Sequence, residues 1–236
     1  SNALGQPEPA QAVEHQRELV AVNLGLHGSD GEATLKSRLR LSDLMLWDYR
    51  FDASFAELAL VQQAIERSPN VAQAIGSDAL LSQARIALAR GDLESARELA
   101  SRAIEQRAAA HGQFDPRTLE AVFLRGRIHT AADRPELAKQ DYQEVIRLNE
   151  SQFTDETLES LTMARNNLAA IVREEGELGL AQDLLALASV SAGNDWGARD
   201  WRTAMVNAHH GFVLSLLGES TAAEAKLLSA ESVLAS

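Results

Sequence analysis

The chain lacks several residue types, and each absence narrows what it can be. Its 236 residues include no cysteine, which excludes disulfide bonds and thiolate metal sites. Aromatic residues make up 5% of the chain, and no segment of useful length alternates apolar and polar residues as a strand does. No apolar run reaches about 18 residues, so no membrane-spanning segment is predicted here. We therefore expect an all-α chain with almost no sheet.

Basic clusters and catalytic motifs are absent as well. Lys and Arg number 22 against 34 Asp and Glu, for a net charge of −12, and no basic cluster is present to hold a phosphate backbone. We expect no direct nucleic-acid or anionic-membrane partner. The chain has no phosphate-binding loop, nucleophile elbow or zinc-protease motif. The adjacent His209 and His210 would point about 100° apart on a helix, which does not suit a shared metal. These observations predict a non-catalytic protein without a cofactor or metal.

The first residues carry information about processing rather than fold. Ser1, Asn2 and Ala3 resemble the scar that tag cleavage leaves, so residues 1–3 are set aside. The native part then begins at Leu4 rather than at Met, and we expect a further segment upstream of it. Without cysteine, redox chemistry does not identify the compartment. The cytoplasm is favoured, and the periplasm is the alternative if a signal or membrane segment precedes Leu4.

An internal repeat is the strongest positive signal in the sequence. Four predicted turns lie at Gly91, Asp133, Gly176 and Gly218, 42 or 43 residues apart. Small residues stand seven positions before each turn and alanine five positions after it, while the positions nine and twelve after it follow one helix face. In that order of offsets the residues are Ala84, Gly126, Ala169 and Gly211; Ala96, Ala138, Ala181 and Ala223; Ala100, Tyr142, Leu185 and Leu227; and Ala103, Val145, Ala188 and Ala230.

The pattern predicts a helix on each side of every turn. Small side chains on the two helices face each other, which allows close packing, and the turn residue suits a left-handed conformation. The four hairpins are predicted at 72–109, 116–149, 155–190 and 198–235, as one continuous solenoid domain over 72–235. Residues 33–68 are interpreted as a degenerate earlier helix pair. Residues 4–32 are interpreted as an N-terminal helix and a turn-rich break.

The succession of small residue, turn, alanine, aromatic or apolar residue and small residue resembles tetratricopeptide repeats. The unit of about 42 residues, rather than 34, resembles the kinesin-light-chain-like branch. So do Asn166-Asn167-Leu168-Ala169 and the segment from His111 to Leu119 between two hairpins. Three positions depart from the family pattern, which usually has leucine there: Gln83, Arg125 and His210. The resemblance implies a right-handed superhelix of antiparallel helix hairpins, with HEAT-like repeats as the structural alternative.

In the resembled family, the first helix of each hairpin faces a concave groove that holds a peptide or a partner's helix. Residues at offsets −13, −10, −9, −6 and −3 from the turn share that face. From them we predict peptide-binding residues at Arg85, Phe123, Arg127, Asn166, Asn167, Arg173 and His209. Asparagine pairs with both the N–H and the C=O of an extended ligand, and arginine holds a carboxylate through two bonds. The alternatives are that Arg85 and Arg127 are ordinary solvated side chains, that Asn167 bonds the neighbouring repeat, and that Phe123 belongs to the core.

These observations predict a scaffold that binds a protein or peptide. We expect it to be the docking or sensory region of a longer bacterial regulatory protein. A receptor for a small signalling peptide is the first alternative. A self-association element is the second, because the last hairpin is apolar enough to stack on another copy as a homodimer. Its leucines are Leu214, Leu216, Leu217, Leu227 and Leu228.

Overall fold

The computed structural model describes residues 9–152 and 159–235, in which all regular secondary structure is α-helical. The predicted all-α class is confirmed for these residues. The expected scar at residues 1–3, residues 4–8 of the N-terminal segment and residues 155–158 of the third hairpin lie outside them. The helices are α1 (Pro9–His27), α2 (Glu32–Trp47), α3 (Phe51–Arg67), α4 (Pro69–Ala89), α5 (Leu93–His111), α6 (Pro116–Ala131), α7 (Pro135–Gln152), α8 (Glu159–Glu174), α9 (Leu178–Asp195), α10 (Trp201–Leu216) and α11 (Ser220–Leu234).

The chain divides into two compact units, Ser1–Gly112 and Gln113–Ser236. The first unit contains the hairpins α2–α3 and α4–α5, with α1 packed against α2. The second contains the hairpins α6–α7, α8–α9 and α10–α11, and each of its hairpins packs against the next. The first helices of the second unit also contact one another, α6 against α8 and α8 against α10. Side chains on these three helices are therefore close enough to form one surface.

Each hairpin closes at one residue in the left-handed region. The angle φ is 77° at Gly91, 54° at Asp133, 87° at Gly176 and 80° at Gly218. Tyr49 lies 42 residues before Gly91 and has a φ of 56°. The repeat therefore extends one hairpin further towards the N terminus than the sequence analysis recognised, because tyrosine stands where glycine or aspartate marks the other turns.

The helices of each hairpin approach closely at the offsets −7 and +5. In the hairpin α2–α3 these positions are Ser42 and Ser54, both fully buried, and each serine hydroxyl is within 3.0 Å of the other residue's carbonyl oxygen. In the hairpin α6–α7 a Cβ added to Gly126 would lie 2.6 Å from Cε1 of Tyr142. Small side chains at these positions are thus required by the packing, as the repeat predicts.

The apolar stripe on the second helices is buried in all but one place. The residues at offsets +9 and +12 are at most 1% exposed in α5, α7 and α9, whereas Leu227 in α11 is 41% exposed. The difference arises because no further described hairpin packs on the outer side of α11.

Two of the three positions that depart from the leucine of the family pattern have polar partners. Arg125 pairs with the buried Asp141, and His210 lies 3.1 Å from Ser189 Oγ.

Candidate functional site

A line of hydrogen-bonded side chains crosses the second unit from α6 to α10. It consists of Thr130, Tyr142, Asn167, Asn166 and His209, and we call it the polar network. Thr130 Oγ1 lies 3.0 Å from the Tyr142 hydroxyl, which accepts a bond of 3.3 Å from Asn167 Nδ2. Asn166 Nδ2 donates to Asn167 Oδ1 at 3.1 Å, and His209 Nδ1 lies 2.8 Å from Asn166 Oδ1. The network joins three hairpins through side chains alone.

Each hydrogen bond of the polar network is donated in the same direction along it, from His209 towards Thr130. Thr130 donates its single hydroxyl hydrogen to the carbonyl oxygen of Gly126 at 3.0 Å, so it accepts from Tyr142. Asn166 donates through Nδ2, so its Oδ1 accepts and His209 must carry its hydrogen on Nδ1. Nε2 of the neutral His209 ring is then a hydrogen-bond acceptor, and it has no partner among the described residues.

Burial sets the charge state of the two titratable members of the polar network, Tyr142 and His209. Burial raises the pKa of the Tyr142 phenol, while bonds with Thr130 and Asn167 and the charge of Arg127 oppose that shift. Burial lowers the pKa of His209, and the charge of Arg173 lowers it further. Tyr142 and His209 are therefore both neutral near pH 7, which is the state that the hydrogen-bond direction requires.

Two arginines border the polar network, one at each end. Arg127 on α6 is exposed and acts electrostatically on Tyr142. Arg173 on α8 is half-buried, and its guanidinium carbon lies 5.3 Å from the centre of the Phe212 ring. Its ion pair with Glu174 spans 3.3 Å, but Glu174 is largely exposed, so the pair is weak. The surface therefore presents positive charge beside an exposed aromatic ring.

The other three predicted groove residues have different surroundings. Asn166 is buried, and both ends of its amide are bonded within the chain, so it positions His209 and Asn167 rather than presenting an amide to solvent. Phe123 is half-buried with its ring 5.9 Å from that of Tyr142, which it supports from α6. Arg85 lies in the first unit, where its Nη1 is 2.6 Å from Oδ2 of Asp43 on α2.

Sequence reasoning assigned Tyr142 to packing alone. Its ring is fully buried as predicted, but its hydroxyl is the central acceptor of the polar network. The available signal was a hydroxyl on a stripe that is otherwise Ala or Leu at the same offset. Asp141 was also missed, although it is buried and accepts from Arg125 at 2.6 Å and lies 2.9 Å from His129 Nδ1. That buried cluster ties α6 to α7 behind the polar network.

Across residues 9–152 and 159–235, no helix combines the length and apolarity needed to cross a membrane. The same ranges contain no group of three His, Asp or Glu side chains arranged to hold a metal ion.

Comparison with known proteins rests on structure. No family model and no curated protein matches the sequence. The crystal structure of BtubC (BKLC) from P. vanneervenii superposes with a TM-score of 0.71 at 16% identity, covering 98% of this chain and 92% of that one. The kinesin light chain TPR-like repeats of Podosopora anserina superpose with a TM-score of 0.61 at 15% identity, covering 85% of this chain and 95% of that one. At such identities the likeness concerns the fold, and on that basis the chain is a tetratricopeptide-repeat-like protein built from helix hairpins.

Proposed function

We propose that the second unit is a non-catalytic scaffold that binds an extended segment of another protein, or a peptide, across α6, α8 and α10. The observation that carries this proposal is the polar network, which fixes His209 and Asn167 between Arg127 and Arg173 before any ligand arrives. Groups that are already positioned lose little freedom on binding, which favours affinity.

The side chains around the polar network favour an acidic ligand. Arg127 and Arg173 carry positive charge on a chain whose net charge is −12, so an acidic ligand is drawn to this face more than to the rest of the molecule. Phe212 is 48% exposed and offers an apolar contact beside Arg173. We therefore expect a ligand with Asp or Glu next to an aromatic or aliphatic residue, and with a main-chain N–H donated to Nε2 of His209.

The proposal is tested by a peptide-display selection on the whole chain. Selected peptides are measured by fluorescence anisotropy on the wild type and on the Arg127→Glu and Arg173→Glu variants. Each charge reversal is expected to weaken binding at least about tenfold, because a charge-assisted contact becomes a repulsion. Trimming the peptides separates a short signalling peptide from a segment of a larger partner.

Arg147→Glu is the matched control. Arg147 is exposed on α7, the second helix of its hairpin, so its reversal changes net charge by the same amount at a distance from the polar network. Binding to this variant should equal that of the wild type. Equal weakening in all three variants would mean that net charge alone governs binding, and unchanged binding in all three would place the ligand elsewhere; either result contradicts the proposal.

We also propose that this scaffold docks partners for a longer bacterial regulatory protein. The full gene that encodes this chain tests this, and a kinase or DNA-binding domain in the same product is the expected finding. A gene that encodes neither contradicts it and leaves the binding proposal intact.

A further inference from the structure

The helix α1 lies in the register of the repeat. It begins at Pro9, which is 42 residues before the start of α3 at Phe51. Its 19 residues equal the length of α5, so it also has the size of a second helix. Residues of the second helices are therefore numbered from the first residue of each helix, and equal position numbers mark equivalent places in the repeat.

The contacts of α1 with α2 are those that a second helix makes with the hairpin after it. Val13 and Val20, at positions 5 and 12, are buried in one cluster with residues of α2. Gln16, at position 8, donates from Nε2 to a backbone carbonyl of α2 at 3.0 Å. In α9, position 12 is Ser189, whose hydroxyl lies 3.1 Å from His210 Nδ1 in α10, the first helix of the next hairpin.

Positions 4 and 11 of a second helix face the first helix of the same hairpin. At position 4 of α3, Ser54 bonds with Ser42 of α2. The helix α11 contacts only α10 among the described helices, and it buries positions 4 and 11 there. Both positions are at most 4% exposed in all five described hairpins. Their residues, in chain order, are Ser54 and Val61, Ala96 and Ala103, Ala138 and Val145, Ala181 and Ala188, and Ala223 and Ala230.

The corresponding side of α1 is uncovered. Leu19, at position 11, is 47% exposed, and Val22, at position 14, is 56% exposed. Leu26 follows four residues later and is 72% exposed, so three apolar side chains lie on one side of the helix. Position 14 is at most 8% exposed in α3, α7, α9 and α11. Since α1 contacts α2 alone among the described helices, the side that packs on a first helix in five hairpins has no such helix here.

We propose that this side of α1 binds an amphipathic helix that precedes it in the same polypeptide, as the first helix of a further hairpin. The expected length of that helix is 16 residues, which is the length of α2, α6, α8 and α10. Its apolar side covers Leu19 and Val22 and removes their surface from water. Ala12, at position 4, is small, so the two helices can approach as closely there as in the other hairpins.

A helix of another copy suits this side of α1 less well. The first helices α2, α4, α6, α8 and α10 all contact their own second helices, so another copy offers no unpaired first helix among the described elements. The exposed leucines of the last hairpin include Leu227 and Leu228 of α11, which is itself a second helix. A helix encoded before α1 is therefore the occupant that the repeat provides.

The repeat also predicts one residue of this helix. A small residue stands twelve positions before position 4 of the second helix in each of the five described hairpins. These residues are Ser42, Ala84, Gly126, Ala169 and Gly211. The full gene should accordingly encode Gly, Ala or Ser twelve positions before Ala12, within a stretch that has apolar residues at helical spacing.

Hydrogen exchange followed by mass spectrometry tests the proposal on two proteins. One is the chain of 236 residues, and the other is extended by the roughly 30 residues that precede it in the full gene, enough for a helix and a short connection. The amides of α1 should exchange at least about tenfold more slowly in the extended protein, because covering this side of the helix suppresses its local opening. Leu19→Glu should abolish most of that slowing and should change the exchange of the shorter chain little.

Leu24→Glu is the matched control. Leu24 is 41% exposed on α1, but it lies five residues from Leu19, about 140° around the helix. The slowing should persist in this variant. Equal exchange of α1 in the two proteins would overturn the proposal, as would a gene that encodes no such helix before α1. Slowing that appears only at high protein concentration also contradicts it, since a second copy then covers the side.

Val22→Glu repeats the test if Leu19→Glu disturbs the exchange of α2 in the extended protein. An equal loss of the slowing in Leu24→Glu would mean that any charge on α1 destabilises the helix, and this result too contradicts a specific contact at Leu19 and Val22. The peptide-binding proposal concerns α6, α8 and α10 and is unaffected by any of these outcomes.

Discussion

At the scale of single residues, Gly126 and Gly211 occupy the same position in two hairpins but meet different neighbours. A Cβ on Gly126 would lie 2.6 Å from Cε1 of the fully buried Tyr142. A Cβ on Gly211 would lie 2.8 Å from Cγ of Leu227, which is 41% exposed and is able to move outward. Identical substitutions at equivalent positions should therefore differ in cost.

We expect Gly126→Ala to lower the free energy of unfolding by about 1–2 kcal/mol. The overpacking cost of about 1–3 kcal/mol exceeds the gain of up to about 1 kcal/mol in helix propensity. Gly211→Ala should lower it by less than Gly126→Ala does, because Leu227 is able to move outward and only the carbonyl oxygen of Ala223, 3.1 Å from the added Cβ, then remains close. Urea denaturation of both variants measures the difference. Equal costs would show that Tyr142 moves as readily as Leu227, against the packing described here.

Two histidines link stability to pH. Burial lowers the pKa of both His209 and His210, with added effects of Arg173 on the first and Lys226 on the second. In the unfolded chain a histidine has a pKa of about 6.5, so the unfolded state binds more protons in mild acid. Their contribution to stability is therefore complete above about pH 6.5 and is lost as the pH falls through the folded-state pKa values.

The free energy of unfolding should accordingly fall between about pH 7.5 and about pH 5.5. In a variant with His209→Gln and His210→Gln the slope over that range should be smaller than in the wild type, whatever the absolute stability. Urea denaturation at a series of pH values measures both slopes. If the two slopes coincide, these histidines are not the groups that titrate on unfolding.

The polar network shows that the sequence predicted which residues share a helix face but not which contacts they make. Asn167, Asn166 and His209 were selected from their offsets because offsets define a helix face. That Asn166 would use its whole amide inside the chain was not predictable, since one of its two partners is His209, which lies 43 residues away in the next hairpin. The pairing of Arg85 with Asp43 was missed for the same reason.

At the scale of the element, the turn at Tyr49 combines a side chain and a backbone conformation that do not suit each other. Its φ is 56°, and its side chain is 81% exposed with an edge-to-face contact to Phe51 at 6.2 Å. A left-handed conformation costs a residue with a Cβ roughly 1–2 kcal/mol, whereas glycine adopts it readily. Little burial offsets that cost at Tyr49.

Tyr49→Gly should therefore raise the free energy of unfolding, by up to about 1 kcal/mol. Gly176→Ala makes the opposite change at the equivalent turn, where φ is 87°, and should lower it by about 1 kcal/mol. Thermal unfolding of the two variants gives the signs directly. A loss of stability in Tyr49→Gly would mean that the contact with Phe51 outweighs the backbone strain.

The repeat explains why elements were more predictable than their contacts. The residues at offsets −7, +5, +9 and +12 pack within one hairpin. Because every hairpin needs the same packing, similar residues recur at these offsets and can be recognised in the sequence. The hairpin α2–α3 follows the same offsets with Ser42, Ser54, Leu58 and Val61, all buried. It was interpreted as degenerate because its turn residue is Tyr49 and because serine, rather than glycine or alanine, stands at the offsets −7 and +5. These two positions keep the small size that the packing needs, although the residue type differs from that of the other hairpins.

At the scale of the whole molecule, a stack of hairpins distributes its stability along the chain, because each hairpin contacts its neighbours only. The helix α7 is held by the buried side chains Tyr142, Val145 and Leu148. The helix α11 is held by Ala223, Ala230 and Val233, while Leu227, Leu228 and Leu234 are 41%, 56% and 57% exposed. Burial of smaller side chains contributes less, so α11 should open more often than α7.

Native-state hydrogen exchange followed by mass spectrometry is expected to show faster exchange of the amides in α11 than of those in α7 and α9. Exchange in α11 should not depend on protein concentration if its leucines face solvent. Protection of α11 that rises with concentration would instead indicate that another copy stacks on the last hairpin.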